Sequence, residues 1–338
     1  MPSSGISGKL VRRSRIVGTG SYVPEKILTN ADLERMVDTS DAWITDRTGI
    51  KERRIADPGV PSSALAEKAA RAAMADAHVT PEEIDALVVA TVTPDRFFPS
   101  TSCTLQDKLG TKKAFCFDIA AACSGFVYGL EVARGFIGSG TTDTVLLIGV
   151  ESLTKITDWT DRTTCVLFGD AAGAAVIRPN DGPEDTGILS VTLGSDGSMG
   201  DMLEMPGGGS LRPISQEVVD QRLQFLKMKG NEVFKVGVRG MEQACLDALR
   251  KAGHTIEDVD LFVPHQANLR MIEATQRRLR LPDEKVFVNI HKYGNTSSAS
   301  VPLALDEARR EGRVKAGSLV LLVAFGGGLT WGAAAIRF

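Results

Sequence analysis

Two pairs of stretches in this chain repeat one grammar, and that repetition limits the folds open to it. Residues 66–94, AEKAARAAMADAHVTPEEIDALVVATVTP, read as a helix, an acidic turn, an aspartate and an apolar strand. Residues 241–266, MEQACLDALRKAGHTIEDVDLFVPHQ, read the same way. Residues 123–149, CSGFVYGLEVARGFIGSGTTDTVLLIG, and 295–326, NTSSASVPLALDEARREGRVKAGSLVLLVAFG, share a small polar opening, a helix, a glycine turn and a strand. Asp85 precedes Cys123 by 38 positions and Asp260 precedes Asn295 by 35. At 338 residues the chain is long enough for two copies of one unit. Alternating helices and strands imply sheets covered by helices on both faces. The duplication also puts Cys123 and Asn295 at equivalent helix starts, near one pseudo-twofold axis.

Cys123 lies where an apolar strand, 115–119, passes through small residues into a helical pattern carrying Phe126, Val127, Leu130, Ala133 and Ile137. The first N–H groups of a helix have no intrahelical partner, and the dipole is positive there. A cysteine at such a point is expected to have a stabilised, nucleophilic thiolate. Cys103, Cys116, Cys165 and Cys245 carry no comparable local argument and read as packing residues. Elsewhere, Asn30 is the expected N-cap of a short helix, and 215–229 reads as a helix inside an otherwise irregular stretch, 195–230. Residues 1–13 read as a disordered leader.

Composition excludes several classes. A net charge of −3 argues against wholesale nucleic-acid binding. No apolar run approaches the ~20 residues that span a bilayer. Five cysteines without a CxxC pair, and only four histidines, speak against a disulfide framework or a metal site. The expected compartment is a reducing cytoplasm.

Later in the chain an apolar strand, 259–263, runs into His265, and a helix begins at Asn268. Gly294-Asn295-Thr296-Ser297-Ser298 and Phe325-Gly326-Gly327-Gly328 follow. Cys, His and Asn together suit one task. A thiolate attacks an acyl thioester and holds the acyl group. His and Asn N–H groups then stabilise the enolate oxygen that decarboxylation of a malonyl thioester creates. Backbone N–H groups of Cys123 and the triple glycine suit the oxyanion of the next step. A papain-like hydrolase uses the same residue types, and a catalytically silent carrier-binding subunit is the alternative outside enzymes.

DTSDAWITDRTGIKERR, FDIAAACSGF, FGDAAGAAV, GNEVFKV, VPHQANLR, GNTSSASVP and FGGGLTWG together resemble β-ketoacyl-acyl-carrier-protein synthase III, the initiating condensing enzyme of type II fatty-acid synthesis in the thiolase superfamily. The resemblance runs from about Arg15 to Phe338. It implies a thiolase-like α/β fold of two pseudo-symmetric halves, 14–182 and 183–338, layered αβαβα. By position, Cys123 matches the acyl-accepting nucleophile, His265 and Asn295 the pair that promotes malonyl decarboxylation, and Gly327 the backbone partner of Cys123 in the oxyanion hole. Phe325 resembles the aromatic beside the malonyl site. Trp43 and Arg162 fall where the family sandwiches the coenzyme A adenine, and Arg47 where it meets the phosphates. Ala267 and Asn268 match the pantetheine tunnel.

Lys235, Gln266, Arg270, Arg277 and Arg278 match the carrier-protein docking surface, to which Arg280 adds. Phe98 aligns with a position that closes the acyl pocket of a dimer partner, where a bulky residue favours a short primer such as acetyl-CoA. The implied partners are acyl-CoA, malonyl-acyl-carrier protein and a second copy of the chain, with no metal or cofactor, coenzyme A thioester being a substrate. A hydroxymethylglutaryl-CoA synthase would need a glutamate near the cysteine and a thiolase a second active-site cysteine, and neither motif is evident. Residues 205–229 are longer than the family pattern.

Overall fold

The computed structural model describes residues 12–338. One sheet contains β1 (Ser14–Tyr22), β2 (Ala86–Ala90), β3 (Phe115–Ile119), β4 (Val145–Ser152) and β5 (Asp170–Pro179), in the order β1-β5-β4-β2-β3. The helices of this half are α1 (Asp41–Thr48), α2 (Ser62–Asp76), α3 (Thr101–Leu109) and α4 (Gly125–Gly138). The second sheet contains β6 (Gly187–Ser195), β7 (Leu261–Pro264), β8 (Leu319–Gly326) and β9 (Thr330–Arg337), in the order β7-β8-β9-β6. With it come α5 (Gly230–Ala252), α6 (Leu269–Leu279) and α7 (Ser300–Arg310).

The sheets repeat one pattern. β2 pairs parallel with β3 and β4, while β5 runs antiparallel to β4 and β1. In the second sheet β7 pairs parallel with β8, and β9 runs antiparallel to β8 and β6. The counterpart of β3 is reduced to one parallel bridge between Phe262 and Val286. α4 and α7 lie between the sheets, where Phe126 and Leu130 of one helix and Val301 and Leu305 of the other share a core with Leu147 and Leu322. Each such side chain withdrawn from water contributes on the order of 2 kcal/mol. β2 and β4 are buried along their whole length, as strands covered on both faces must be.

The outer faces are covered by α2 and α3 on one side and by α5 and α6 on the other. The alanines of α2 let it settle onto β1: a Cβ at Gly20 would lie 2.3 Å from the backbone nitrogen of Ala73. The fold is therefore thiolase-like α/β, with five alternating layers. Among the described residues no helix is long and apolar enough to cross a membrane.

Four expectations need correction. Thr29, not Asn30, caps the helix Asn30–Glu34, through a capping box with Asp32; Asn30 is buried and donates to Asp41 and to Ile50 O. The helix expected over 215–229 is confined to Gln216–Asp220. Beyond it Arg222 clamps buried Asp158, and Lys227–Met228 pairs with Leu203–Glu204 instead. Of the polar leader, residues 1–11 lie outside the described residues, but Arg12 pairs with Asp143 and the Arg13 carbonyl accepts from Asn180 N–H.

The pseudo-symmetry also shifts by three residues. Ala122 and Ser297 both adopt positive φ, +45° and +47°, one residue before Cys123 and Ser298. Each opens a single 3-10 turn that leads into a central helix. The partner of Cys123 across the pseudo-axis is therefore Ser298, with Asn295 three residues upstream.

Candidate active site

Cys123 occupies the 3-10 turn Ala122–Ser124 at the start of α4 and is 7% exposed. Gly326, at the end of β8, presses on it: a Cβ there would sit 2.6 Å from Cys123 N and 2.9 Å from its Cβ. Only glycine permits that approach. The N–H groups of Cys123 and Gly327 make no hydrogen bond to another described residue, and both residues line one cavity. Burial pushes the Cys123 thiol up to about 12; a Ser297 hydrogen bond lowers it and the Glu151 charge raises it further. The resting group is a thiol, and the thiolate expected from the helix start is overruled by desolvation.

His265 follows β7, its N–H donating to Val323 O at 2.7 Å. Its Nδ1 lies 2.5 Å from Ser300 Oγ at the start of α7. That hydroxyl also accepts from Gln266 N–H at 3.3 Å. We assign that hydroxyl's hydrogen to Nδ1, which places the proton of neutral His265 on Nε2. Burial takes the imidazole down to about 3, so it stays neutral at ordinary pH. The backbone of Asn295 is pinned by Leu167 O and Gly169 N. Its Oδ1 accepts from Ser297 N–H at 2.9 Å, which leaves the amide NH2 for the cavity.

Cys123, His265 and Asn295 meet at the buried end of a cavity of about 660 Å³. Phe325 lies beside them, stacked on Trp331 with ring centroids 6.5 Å apart. The walls carry Ala267 and Asn268, and the exposed end carries Trp43, Arg47 and Arg270. Two guanidinium groups flank the Trp43 indole, Arg47 at 4.8 Å and Arg162 at 5.2 Å from the ring centroid. Arg162 also pairs with Asp38 at 3.1 Å.

The matches between this chain and known proteins cover nearly its whole length. Residues 117–197 match the family model for 3-oxoacyl-[acyl-carrier-protein] synthase III, and residues 249–338 match its C-terminal model. The β-ketoacyl-[acyl-carrier-protein] synthase III of Caldanaerobacter subterraneus subsp. tengcongensis is 55% identical over 324 residues, 96% of this chain and 97% of that one. The crystal structure of the Aquifex aeolicus enzyme superposes with a TM-score of 0.89 at 49% identity, covering 96% of this chain and 100% of that one. The chain belongs to the β-ketoacyl-[acyl-carrier-protein] synthase III family. A priming β-ketosynthase from the R1128 polyketide pathway is also similar, with a TM-score of 0.90, 38% identity and 98% of each chain covered.

As a synthase III the chain is an acyltransferase, and the hydrolase and silent-subunit alternatives fall away. Not every residue carried over by resemblance suits its role. Gln266 is 1% exposed, donates to Pro264 O and Phe287 O and accepts from the N–H groups of Asn289 and Ile290. It braces two loops beneath the surface and cannot meet a docking protein there. Lys235, Arg270, Arg277 and Arg278 are exposed. The three arginines pair with Asp46, Glu273 and Glu242 respectively, whereas Lys235 pairs with no acid among the described residues. Phe98 is 84% exposed and lies outside the cavity of its own chain.

A glutamate does lie near the cysteine, contrary to expectation. It is Glu151, fully buried at the end of β4, behind the cavity wall rather than on it. An acid closing the otherwise apolar run Val145–Val150 was the available signal. The Ser300 hydroxyl that orients His265 carried no signal, because nothing local distinguishes it from its neighbours in SSAS.

Proposed function

We propose that this synthase III loads a short acyl group, acetyl in the first instance, from coenzyme A onto Cys123 and condenses it with malonyl-acyl-carrier protein, initiating fatty-acid synthesis. The observation that carries this reading is the meeting of Cys123, His265 and Asn295 at the floor of one deep cavity. In the first half-reaction the Cys123 sulfur attacks the thioester carbonyl, and coenzyme A leaves as its thiol. In the second, the malonyl thioester oxygen takes hydrogen bonds from His265 Nε2–H and the Asn295 amide. Its C–C bond breaks, CO2 departs, and the electron pair becomes an enolate held by those two donors. The enolate carbon attacks the acyl carbonyl, whose oxyanion takes the Cys123 and Gly327 N–H groups. Cleavage of the C–S bond then returns the cysteine and releases β-ketoacyl-carrier protein.

Trp43, Arg47 and Arg162 suit the adenine and phosphates of coenzyme A. At 5.2 Å from the Trp43 ring, Arg162 leaves no room for a purine between them, so binding requires it to swing outward, away from the indole. The open edge of β3, with Phe97, Phe98 and Phe115 exposed nearby, suits a homodimer in which Phe98 reaches the partner's acyl pocket. Cytoplasmic location fits the five free thiols.

The test is a condensation assay with purified enzyme, acetyl-CoA and malonyl-acyl-carrier protein. Stoichiometric CO2 and β-ketoacyl-carrier protein are expected; free acetate without condensation would defeat the reading. For docking, Lys235→Glu is expected to raise KM for malonyl-carrier protein about tenfold, with a salt-sensitive difference and unchanged acylation by acetyl-CoA. An unchanged KM would remove Lys235 from the docking surface.

A further inference from the structure

The cysteine at the floor of the cavity rests as a thiol, so its attack needs somewhere to send a proton. His265 is poorly placed to take it. Its Nδ1 is engaged by the Ser300 hydroxyl, its Nε2 carries the hydrogen, and its burial disfavours an imidazolium. Glu151 offers the alternative. Its carboxyl accepts from Thr93 Oγ1 at 2.7 Å, Val92 N–H at 3.1 Å, Ser298 Oγ at 2.9 Å and Ser297 Oγ at 3.2 Å. These neutral donors are its immediate partners, with no cation among them. Ser297 is the link. Its hydroxyl donates to Glu151, its side chain lines the cavity together with Cys123, and its backbone N–H holds Asn295. Its φ of +47° is a conformation a serine adopts only where its surroundings impose it.

We infer that Glu151, acting through Ser297, accepts the Cys123 proton as the acyl group is loaded. The inference rests on Cys123 being the acyl carrier, as proposed for this synthase III. As the sulfur lone pair attacks the thioester carbon, the thiol proton passes to Ser297 Oγ and the Ser297 proton passes to Glu151 Oε1. The carbonyl electrons move onto oxygen. When they return, the bond to the coenzyme A sulfur breaks. The departing thiolate takes the proton back along the same path, so serine and carboxylate are restored and every atom is accounted for. Glu151 touches no substrate; it is a positioning and proton-accepting group reached through Ser297.

Burial raises Glu151 to about 7, against the pull of its hydrogen bonds. A base must be ionised to act, so acylation is expected to be fast above that pH and to fail as pH falls through it. The titratable neighbours are few. Cys123 faces Glu151 across Ser297. Asp170, opposite Ser152 on β5, is occupied by Thr154 and Ala56 N–H. His265 lines the same cavity as Cys123 and stays neutral.

The experiment is acetylation of the intact enzyme by acetyl-CoA, quenched and followed by mass, across about pH 5.5–9. Wild type, Glu151→Gln and Ser297→Ala are compared, each with a thermal melt. Wild type is expected to show an inflection near pH 7. Both variants are expected to melt close to wild type, to lose that inflection, and to load about 100-fold more slowly at about pH 8. If Glu151→Gln melts early, Ser297→Ala decides, since it leaves the carboxyl its other donors. A folded variant that keeps the wild-type rate and inflection overturns the inference while leaving the acyl-cysteine reading intact. Wild-type enzyme that takes up no acetyl group overturns both.

Discussion

Cys123→Ala enzyme will form no β-ketoacyl-carrier protein from acetyl-CoA, with activity reduced on the order of 10⁴-fold or more. The reason is positional as well as chemical. Among the described residues Cys123 is the one thiol that lines the cavity, and Cys103, Cys116, Cys165 and Cys245 lie elsewhere. None can stand in for it. The side chain is small and its backbone is held by the turn before α4 and by Gly326, so alanine fits the same space. The variant should therefore melt within a few degrees of wild type, removing a methyl-sized group's worth of contact, about 1 kcal/mol. Steady-state condensation and a thermal melt, run side by side, check this. Residual condensation above about one percent would mean that the acyl group passes directly between thioesters or rests on another residue.

Asn295→Ala and His265→Ala separate the two half-reactions. In the proposed mechanism each removes one donor to the enolate oxygen, and loss of one such donor costs about 10²–10³-fold in kcat. By the route inferred above, acylation of Cys123 draws on neither donor and should remain within about threefold of wild type for Asn295→Ala. His265→Ala also leaves the Ser300 hydroxyl hydrogen without its acceptor, a cost of about 1–3 kcal/mol in stability. Decarboxylation itself should show no histidine titration between about pH 5 and pH 9, because burial takes His265 down to about 3 and keeps it neutral across that range. The sign for stability follows from the same depression. Neutral His265 contributes fully above its unfolded value of about 6.5, and the contribution is lost as pH falls toward 3. A mass-based acylation assay together with CO2 release distinguishes the two steps. Equal loss of both would show that the two residues act on the acyl half as well.

Much of this architecture is legible in the chain. The repeated helix–turn–strand grammar corresponds to two sheets of matching strand order with α4 and α7 between them, because alternation of elements is a local property of the pattern. Cys123 and His265 are legible for the same reason, since each stands where an apolar strand ends. Interactions between distant segments are not. That Cys123 answers to Ser298 rather than Asn295 depends on two positive-φ residues whose sequence gives no sign of them. The burial of Gln266 comes from Phe287, Asn289 and Ile290, some twenty residues away. Glu151 meets Ser297 across 146 positions of chain, and only the oddity of an acid in an apolar strand hints at it. The thiol itself shows the limit most clearly: a helix start argues for a thiolate, and the depth of the cavity argues more strongly against one.

The most direct test of Cys123 as the acyl carrier is the mass of the intact enzyme after brief incubation with a panel of straight-chain acyl-CoAs from acetyl to decanoyl, followed by peptide mapping. A single acyl increment is expected, on the peptide containing Cys123 and formed fastest with acetyl-CoA. An increment on any other residue, or loading by octanoyl- or decanoyl-CoA faster than by acetyl-CoA, would contradict it.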